Sequence, residues 1–161
     1  MIAKIFFILA SASFGEKIQL MSNILYKKQR KDGEKPMYDP DEFKKMLEEE
    51  EPKLQEFFDE LISSTNPQIK NSKTNQQNKK KLVAFCHFLA GLNNKFINGV
   101  KTEVGFLLSV SGASASAIET LANARLTIRR ETIQRHNHQL ASSHKQTVKD
   151  YIIENVIFLY L

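Results

Sequence analysis

Residues 82–110 read LVAFCHFLAGLNNKFINGVKTEVGFLLSV, and this run decides the fold class. Leu82, Phe85, Cys86, Leu89, Leu92, Phe96, Ile97, Val100, Val104, Leu107 and Leu108 recur at intervals of three and four. That spacing stacks side chains on one face of an α-helix, so the run predicts the core as one long helix or two, with Phe96 inside it. Gly91, Gly99 and Gly105 either weaken the helix or allow another element to approach closely. Asn93, Asn94, Lys95, Lys101 and Glu103 interrupt the run, which excludes a membrane span. Cys86 is the only cysteine of the chain, so neither an intrachain disulfide nor a Cys-rich zinc site can form. It reads as a small buried hydrophobe, and adjacent His87 leaves the helix on a different face.

Upstream lies a helix start written in full. Asp39 is a cap, Pro40 fits the first helical position, and Glu42 completes a capping-box pattern. Phe43, Met46, Leu47, Leu54, Phe57, Phe58, Leu61 and Ile62 continue at helical spacing. Pro52 lacks a backbone donor, so a break near Glu50 into two short helices is expected. Glu48 to Glu51 read as a solvated face rather than a pair of catalytic carboxylates. Between this segment and the central run, the polar stretch 63–81 has too little hydrophobicity for a core and reads as a mobile loop.

Residues 1–37 read as a flexible arm that packs little against the core. Met1 to Phe14 is apolar, with Lys4 before a short run and Ala10-Ser11-Ala12 after it, which imitates a secretory signal. The run is shorter than the ~20 residues that span a bilayer. Tyr26 to Lys35 follows as a basic linker carrying Lys27, Lys28, Arg30, Lys31 and Lys35, a weak nuclear-localisation pattern.

Downstream of the central run, Ser111-Gly112-Ala113 ends a helix, Ser114 to Asn123 forms a short one, Ala124 to Ile128 turns, and a second helix runs from Arg129. Ile118, Leu121, Ala122, Ile128 and Ile133 are the residues that would pack the pair. The arrangement resembles a helix-turn-helix, whose second helix turns basic and amide side chains toward DNA. Arg125, Arg129, Arg130, Gln134, Arg135, Asn137 and His138 are the candidate nucleic-acid-binding residues. Arginine neutralises phosphates, and Arg and Gln can pair with base edges in two-pronged fashion. The pattern departs from a helix-turn-helix at the turn, where Arg125 or Leu126 stands in place of the usual glycine, and Ile133 arrives one residue late. The same residues also describe an ordinary helix pair with a solvated basic face. His136, His138 and His144 are spaced by two and six, which places no pair on one helix face, so no metal site is read.

Charge supports the division. The 161 residues carry a formal charge of +5, but Asp39 to Glu60 holds ten acids against three lysines, and Arg125 to Lys149 holds six bases against Glu131. Such segregation lets the basic part attract phosphate while the acidic part stays clear of it. Hydrophobic content of 42% allows a packed core, built on Phe, Leu and Ile in a chain with eleven Phe and no Trp.

Ala90-Gly91-Leu92-Asn93-Asn94-Lys95-Phe96, then Ser111-Gly112-Ala113 and Thr120-Leu121-Ala122-Asn123, resemble part of a multi-copy group of uncharacterised, transposon-like fungal proteins. The likeness runs from Tyr38 to the end. It implies a helical region that precedes an acidic, nuclease-like domain. On that footing Val156 to Leu161 reads as the first strand of such a domain, and otherwise as an apolar tail prone to self-association.

The sequence therefore predicts an all-α protein with a helical domain over 38–155 and an apolar tail at 156–161. It offers no catalytic constellation and no cofactor motif. The expected function is non-catalytic DNA binding in a nuclear, intracellular setting. A helical protein-interaction or oligomerisation module and a small secreted helical protein are the alternatives.

Overall fold

Asp39 opens a helix as its sequence requires: its carboxylate accepts from the backbone N–H groups of Asp41 and Glu42, both at 3.0 Å. Pro40 fills the first position, where a missing donor costs nothing. The helix ends at Glu50, and Pro52 starts a single 3-10 turn, Pro52–Leu54, before helix resumes at Phe57. Glu56 takes a positive φ of 62° at that second start. In the computed structural model, which describes residues 12–65 and 71–156 with side chains through 150, the described residues form seven α-helices and no strand. They are α1 (Phe14–Tyr26), α2 (Pro40–Glu50), α3 (Phe57–Thr65), α4 (Ser72–Asn93), α5 (Gly99–Val110), α6 (Ala115–Asn123) and α7 (Arg130–Val156). The protein is all-α. Of the strand or tail expected over 156–161, Val156 is the last residue of a helix and 157–161 lie outside the described residues, as do residues 1–11 of the signal-like segment Met1 to Phe14.

The chain divides into two compact units between Val100 and Lys101, inside α5, rather than into an arm and a single domain. The core of the first is made by Met21, Ile24 and Leu25 of α1, Phe43 and Leu47 of α2, Leu54, Phe57, Phe58 and Leu61, and Leu82, Val83, Cys86 and Ala90 of α4, with Ile97. The expected flexible arm is thus corrected for residues 14–31. Ser13 caps α1 by accepting from Glu16 N at 3.2 Å, and a stripe at 21, 24 and 25 goes fully inside, Met21 at 0% exposure. The apolar residues of α1 are only a turn's width, hidden in the sequence between an apolar leader and a basic run. After Tyr26 the helix widens into one π-helical turn, Lys27–Lys31.

The polar stretch 63–81 is also corrected. Residues 63–65 end α3, and Ser72 to Lys81 are the first half of α4, capped by Asn71, whose Oδ1 accepts from Thr74 N at 2.8 Å. Gln, Asn and Lys have adequate helix propensity, and a helix anchored at its far end extends cheaply through them. The central run is two helices, broken at Asn94. Leu92, in the last turn before the break, is 77% exposed, and the break shifts the phase beyond it, so Phe96 is 49% exposed while Ile97 and Val100 are buried. Phe96 is a surface residue.

A partly buried polar clamp closes the first unit. His87 Nε2 lies 3.1 Å from Met37 O, a position only a donor can hold, so the ring carries its proton there. Nδ1 then accepts from the Gln29 amide at 3.2 Å, and Gln29 Oε1 accepts from Gly99 N at 3.1 Å. The Phe43 and Tyr38 rings flank the imidazole at 5.5 and 6.3 Å. Gly99 is required: a Cβ there would stand 2.6 Å from Pro36 Cγ and 2.8 Å from Gln29 Oε1. Lysines of α1, the π-turn and α2 bridge to acids of the 39–60 segment, Lys17 to Glu60 at 2.7 Å, Lys27 to Glu50 at 2.9 Å and Lys44 to Asp59 at 2.6 Å. Lys28 sits between Glu50 and Glu34, which hold its ammonium above the usual lysine range. Much of the acidic run is therefore paired rather than merely solvated. Each bridge is exposed and weak by itself.

In the second unit α5, α6 and α7 share a small core of Ile118, Ala122, Thr127 and Ile133. Gly105 makes it possible, since a Cβ there would meet Thr127 Oγ1 at 2.7 Å, Ile128 Cγ1 at 2.9 Å and Ile133 Cδ1 at 3.2 Å.

Three substitutions test the first unit. Leu25→Ala should cost roughly 2–5 kcal/mol in a urea melt, because it empties a fully buried site, whereas Phe96→Ala should cost less than about 1 kcal/mol. A melt unchanged by Leu25→Ala would detach α1 from the core. Gln29→Ala removes the amide that joins His87 to Gly99 and leaves the Gly99 N–H without its acceptor, and should cost about 1–3 kcal/mol in the same measurement.

Candidate nucleic-acid interface

Ser114 caps α6 by accepting from Ala117 N at 3.1 Å. Ile118 and Ala122 then fall four apart on the buried face, and the helix stops at Asn123. The connection closes tightly: Arg125 N reaches Ala122 O at 3.0 Å and Leu126 N reaches Leu121 O at 2.9 Å. This closure forces Arg125 into the left-handed region, φ 63°. The position where a glycine was missing from the sequence pattern is thus one where the backbone takes a glycine-like conformation with an arginine. Thr127 turns inward and its Oγ1 donates to Lys101 O at 3.2 Å, which ties the turn to α5.

Arg129 is the residue before α7, and its carbonyl accepts from Ile133 N at 3.1 Å as a cap residue's does. It has no capping oxygen in its side chain. Arg129 and Arg130 thus put two cations at the positive end of a helix dipole, an arrangement that disfavours folding and favours a bound anion. Glu131 offsets part of it.

Ile133 is the deeply buried residue of α7; every residue from Gln134 to Asp150 is exposed. At 100° per residue, Arg135, His138, Ser142, Lys145 and Lys149 fall on the face opposite Ile133, at intervals of three and four. Gln134 borders that face. Asn137 does not join it, and lies with Arg130 nearer the Ile133 side. Of the seven residues the sequence singles out, then, all are exposed, and Gln134, Arg135 and His138 share one face. Arg129 and Arg130 gather at the helix start and Arg125 stands in the turn. His136 sits edge-on to Phe106 at 5.8 Å, a packing role. Among the described residues no group of three His, Cys, Asp or Glu is placed to hold a metal.

Charge is distributed differently in the two units. Lys17, Lys27, Lys28, Lys44, Lys45, Lys53 and Lys79 of the first are in ion pairs, while among its described residues Arg30, Lys31, Lys35, Lys73, Lys80, Lys81 and Lys95 are in none. Among the described residues Arg125, Arg129, Arg130, Arg135, Lys145 and Lys149 are in none. Lys101, whose carbonyl accepts from Thr127 Oγ1, is a further cation beside the turn that the sequence did not reveal. Burial, and then the nearby Arg125 charge, lower its pKa from the ordinary lysine value, which marks a positive field beside the turn. Nothing local signals this, because 24 positions separate the two residues and only the fold brings them close.

The Cys86 thiol is pushed up to about 12 by burial. A shallow depression on the first unit is lined by Asp41, Lys44, Lys45, Glu48 and Glu49, whose charges pair with one another or with neighbours. No described helix is long and apolar enough to cross a membrane. The chain matches no protein family, no curated protein and no solved structure.

The strained turn gives a direct test. Arg125→Gly should raise stability by about 0.5–1 kcal/mol in a urea melt, since glycine takes a positive φ without a Cβ clash. A loss of stability would place a stabilising contact in the arginine side chain.

Proposed function

We propose that the second unit is a non-catalytic DNA-binding module, with α6 and α7 as a helix-turn-helix-like pair and α7 as the helix that meets duplex DNA. The observation that carries this reading is the set of six exposed cations from Arg125 to Lys149, none of them in an ion pair, in a span that holds Glu131 as its one acid. In this reading Arg129 and Arg130 take a phosphate at the start of α7, where the helix dipole adds to their charge. Arg135, with Gln134 and His138 beside it, faces base edges, and Lys145 and Lys149 follow the backbone. The three-helix arrangement, with α5 closing behind the turn through Gly105, is one on which such helices are presented. The likeness to transposon-like fungal proteins fits the same function, and a nuclear setting goes with it.

A second reading has its own observation. Leu140 is 62% exposed and Val148 is exposed on the same long helix, which suits a helical partner or a second copy of the chain. Concentration-dependent sedimentation without DNA would favour it.

Salt separates the two. Phosphate neutralisation releases counterions, so affinity for duplex DNA should fall with salt at a log–log slope of about −0.9 per phosphate contacted. Replacing Arg129, Arg130 and Arg135 together by Ala should flatten the slope by about two to three units with helical content unchanged. Titration of a fluorescent duplex at several salt concentrations measures both. Weak binding with the same slope in both proteins would end the DNA reading.

A further inference from the structure

The basic stretch after α1 is not used by the module just described, and the first unit brings it to an exposed aromatic ring. The Arg30 guanidinium carbon lies 5.9 Å from the Phe96 ring centroid and the Lys95 ammonium 5.3 Å. Arg30, Lys31, Lys35 and Lys95 are exposed, and among the described residues none of the four is in an ion pair. Of the two acids in the same connection, Glu34 is taken up by Lys28 at 3.3 Å, which leaves Asp32 against these four cations. The ring itself is held still. Asn94 Oδ1 accepts from Phe96 N at 3.0 Å, Ile97 N reaches Asn94 O at 3.0 Å, and buried Ile97 and the Gln29 bond to Gly99 anchor the next residues.

A half-exposed phenyl ring costs free energy in water, and core packing does not require this one. Cations above it regain part of that cost and remain free to move, since flexible stems carry them. An aromatic face on a rigid turn, bordered by unpaired cations, is the chemistry that takes an unpaired nucleobase: the base stacks on the ring and the cations contact the adjoining phosphates. Duplex DNA cannot use such a ring without unstacking, so the ligand differs from that of α7. We infer that Phe96 is a stacking platform for single-stranded nucleic acid, with Arg30 and Lys95 as its phosphate contacts. This inference is independent of the DNA reading of the second unit.

The test uses the intact chain, a fluorescent single-stranded dT oligonucleotide of about a dozen residues, and an abasic strand of the same length and charge. Phe96→Ala should weaken binding of the dT strand roughly 5- to 100-fold. Phe96→Tyr should restore it, the abasic strand should bind both proteins alike, and duplex affinity should stay unchanged. A urea melt of Phe96→Ala matching the parent excludes a folding artefact. Equal binding of dT by the parent and Phe96→Ala, no binding by the parent, or an equal loss on the abasic strand would each overturn the inference. Loss of duplex binding on replacing Arg129, Arg130 and Arg135, with dT binding intact, would separate the two sites.

Discussion

One side-chain amide holds the first unit in register. Gln29 gives its N–H to His87 on α4 and its oxygen to the backbone of Gly99, while the other nitrogen of His87 holds Met37. Four segments far apart in sequence meet at that point: the π-turn after α1, the connection into α2, α4 and the start of α5. Each can meet there only because of a local choice. The helix widens at Lys27–Lys31, Gly99 has no Cβ, and a histidine rather than an apolar residue sits beside Cys86. A buried polar group without partners would be costly, and among the described residues no buried side-chain nitrogen or oxygen is left without one. Satisfying these groups fixes one arrangement out of the several that a generic apolar stripe would accept.

What the sequence discloses follows from how local each rule is. Asp39 with Pro40, the break at Pro52, the short helix begun at about Ser114 and the turn after Asn123 are each written within a short stretch, and each stands where the pattern puts it. The all-α class follows from the same periodicity. The errors lie where a distant partner decides. Helix α1 has a stripe too short to outweigh its flanks until α4 covers it. The first half of α4 is polar, and low hydrophobicity describes its exposure rather than its conformation. Phe96 fits the apolar spacing only if the helix continues through Asn94, and a capping amide there ends it. At the candidate interface the exposed basic residues were legible one by one. Lys101 was not, nor was the left-handed backbone at Arg125, since both arise from closure of the turn on α5.

The two units also handle charge in different ways. In the first, lysines and carboxylates from different helices neutralise each other, and Lys27 and Lys28 together hold the Glu50 carboxyl below its ordinary range. In the second, like charges gather: two arginines stand at the positive end of α7, and Lys101 feels Arg125. A fold shaped by stability alone would cap α7 with a serine or aspartate. Keeping Arg129 there sacrifices stability where an anion would restore it.

Cys86 lies at 0% exposure in α4, its thiol pushed up to about 12, and it is the single sulfhydryl of the chain. Reaction with a thiol reagent needs the thiolate in contact with solvent, so the folded unit protects it on both counts. The alkylation rate is then set by how often the helices around Cys86 part, and at low reagent it follows the opening equilibrium. The protein carries its own chemical clock for the breathing of its core, read by mass from one adduct at one site, with no introduced label.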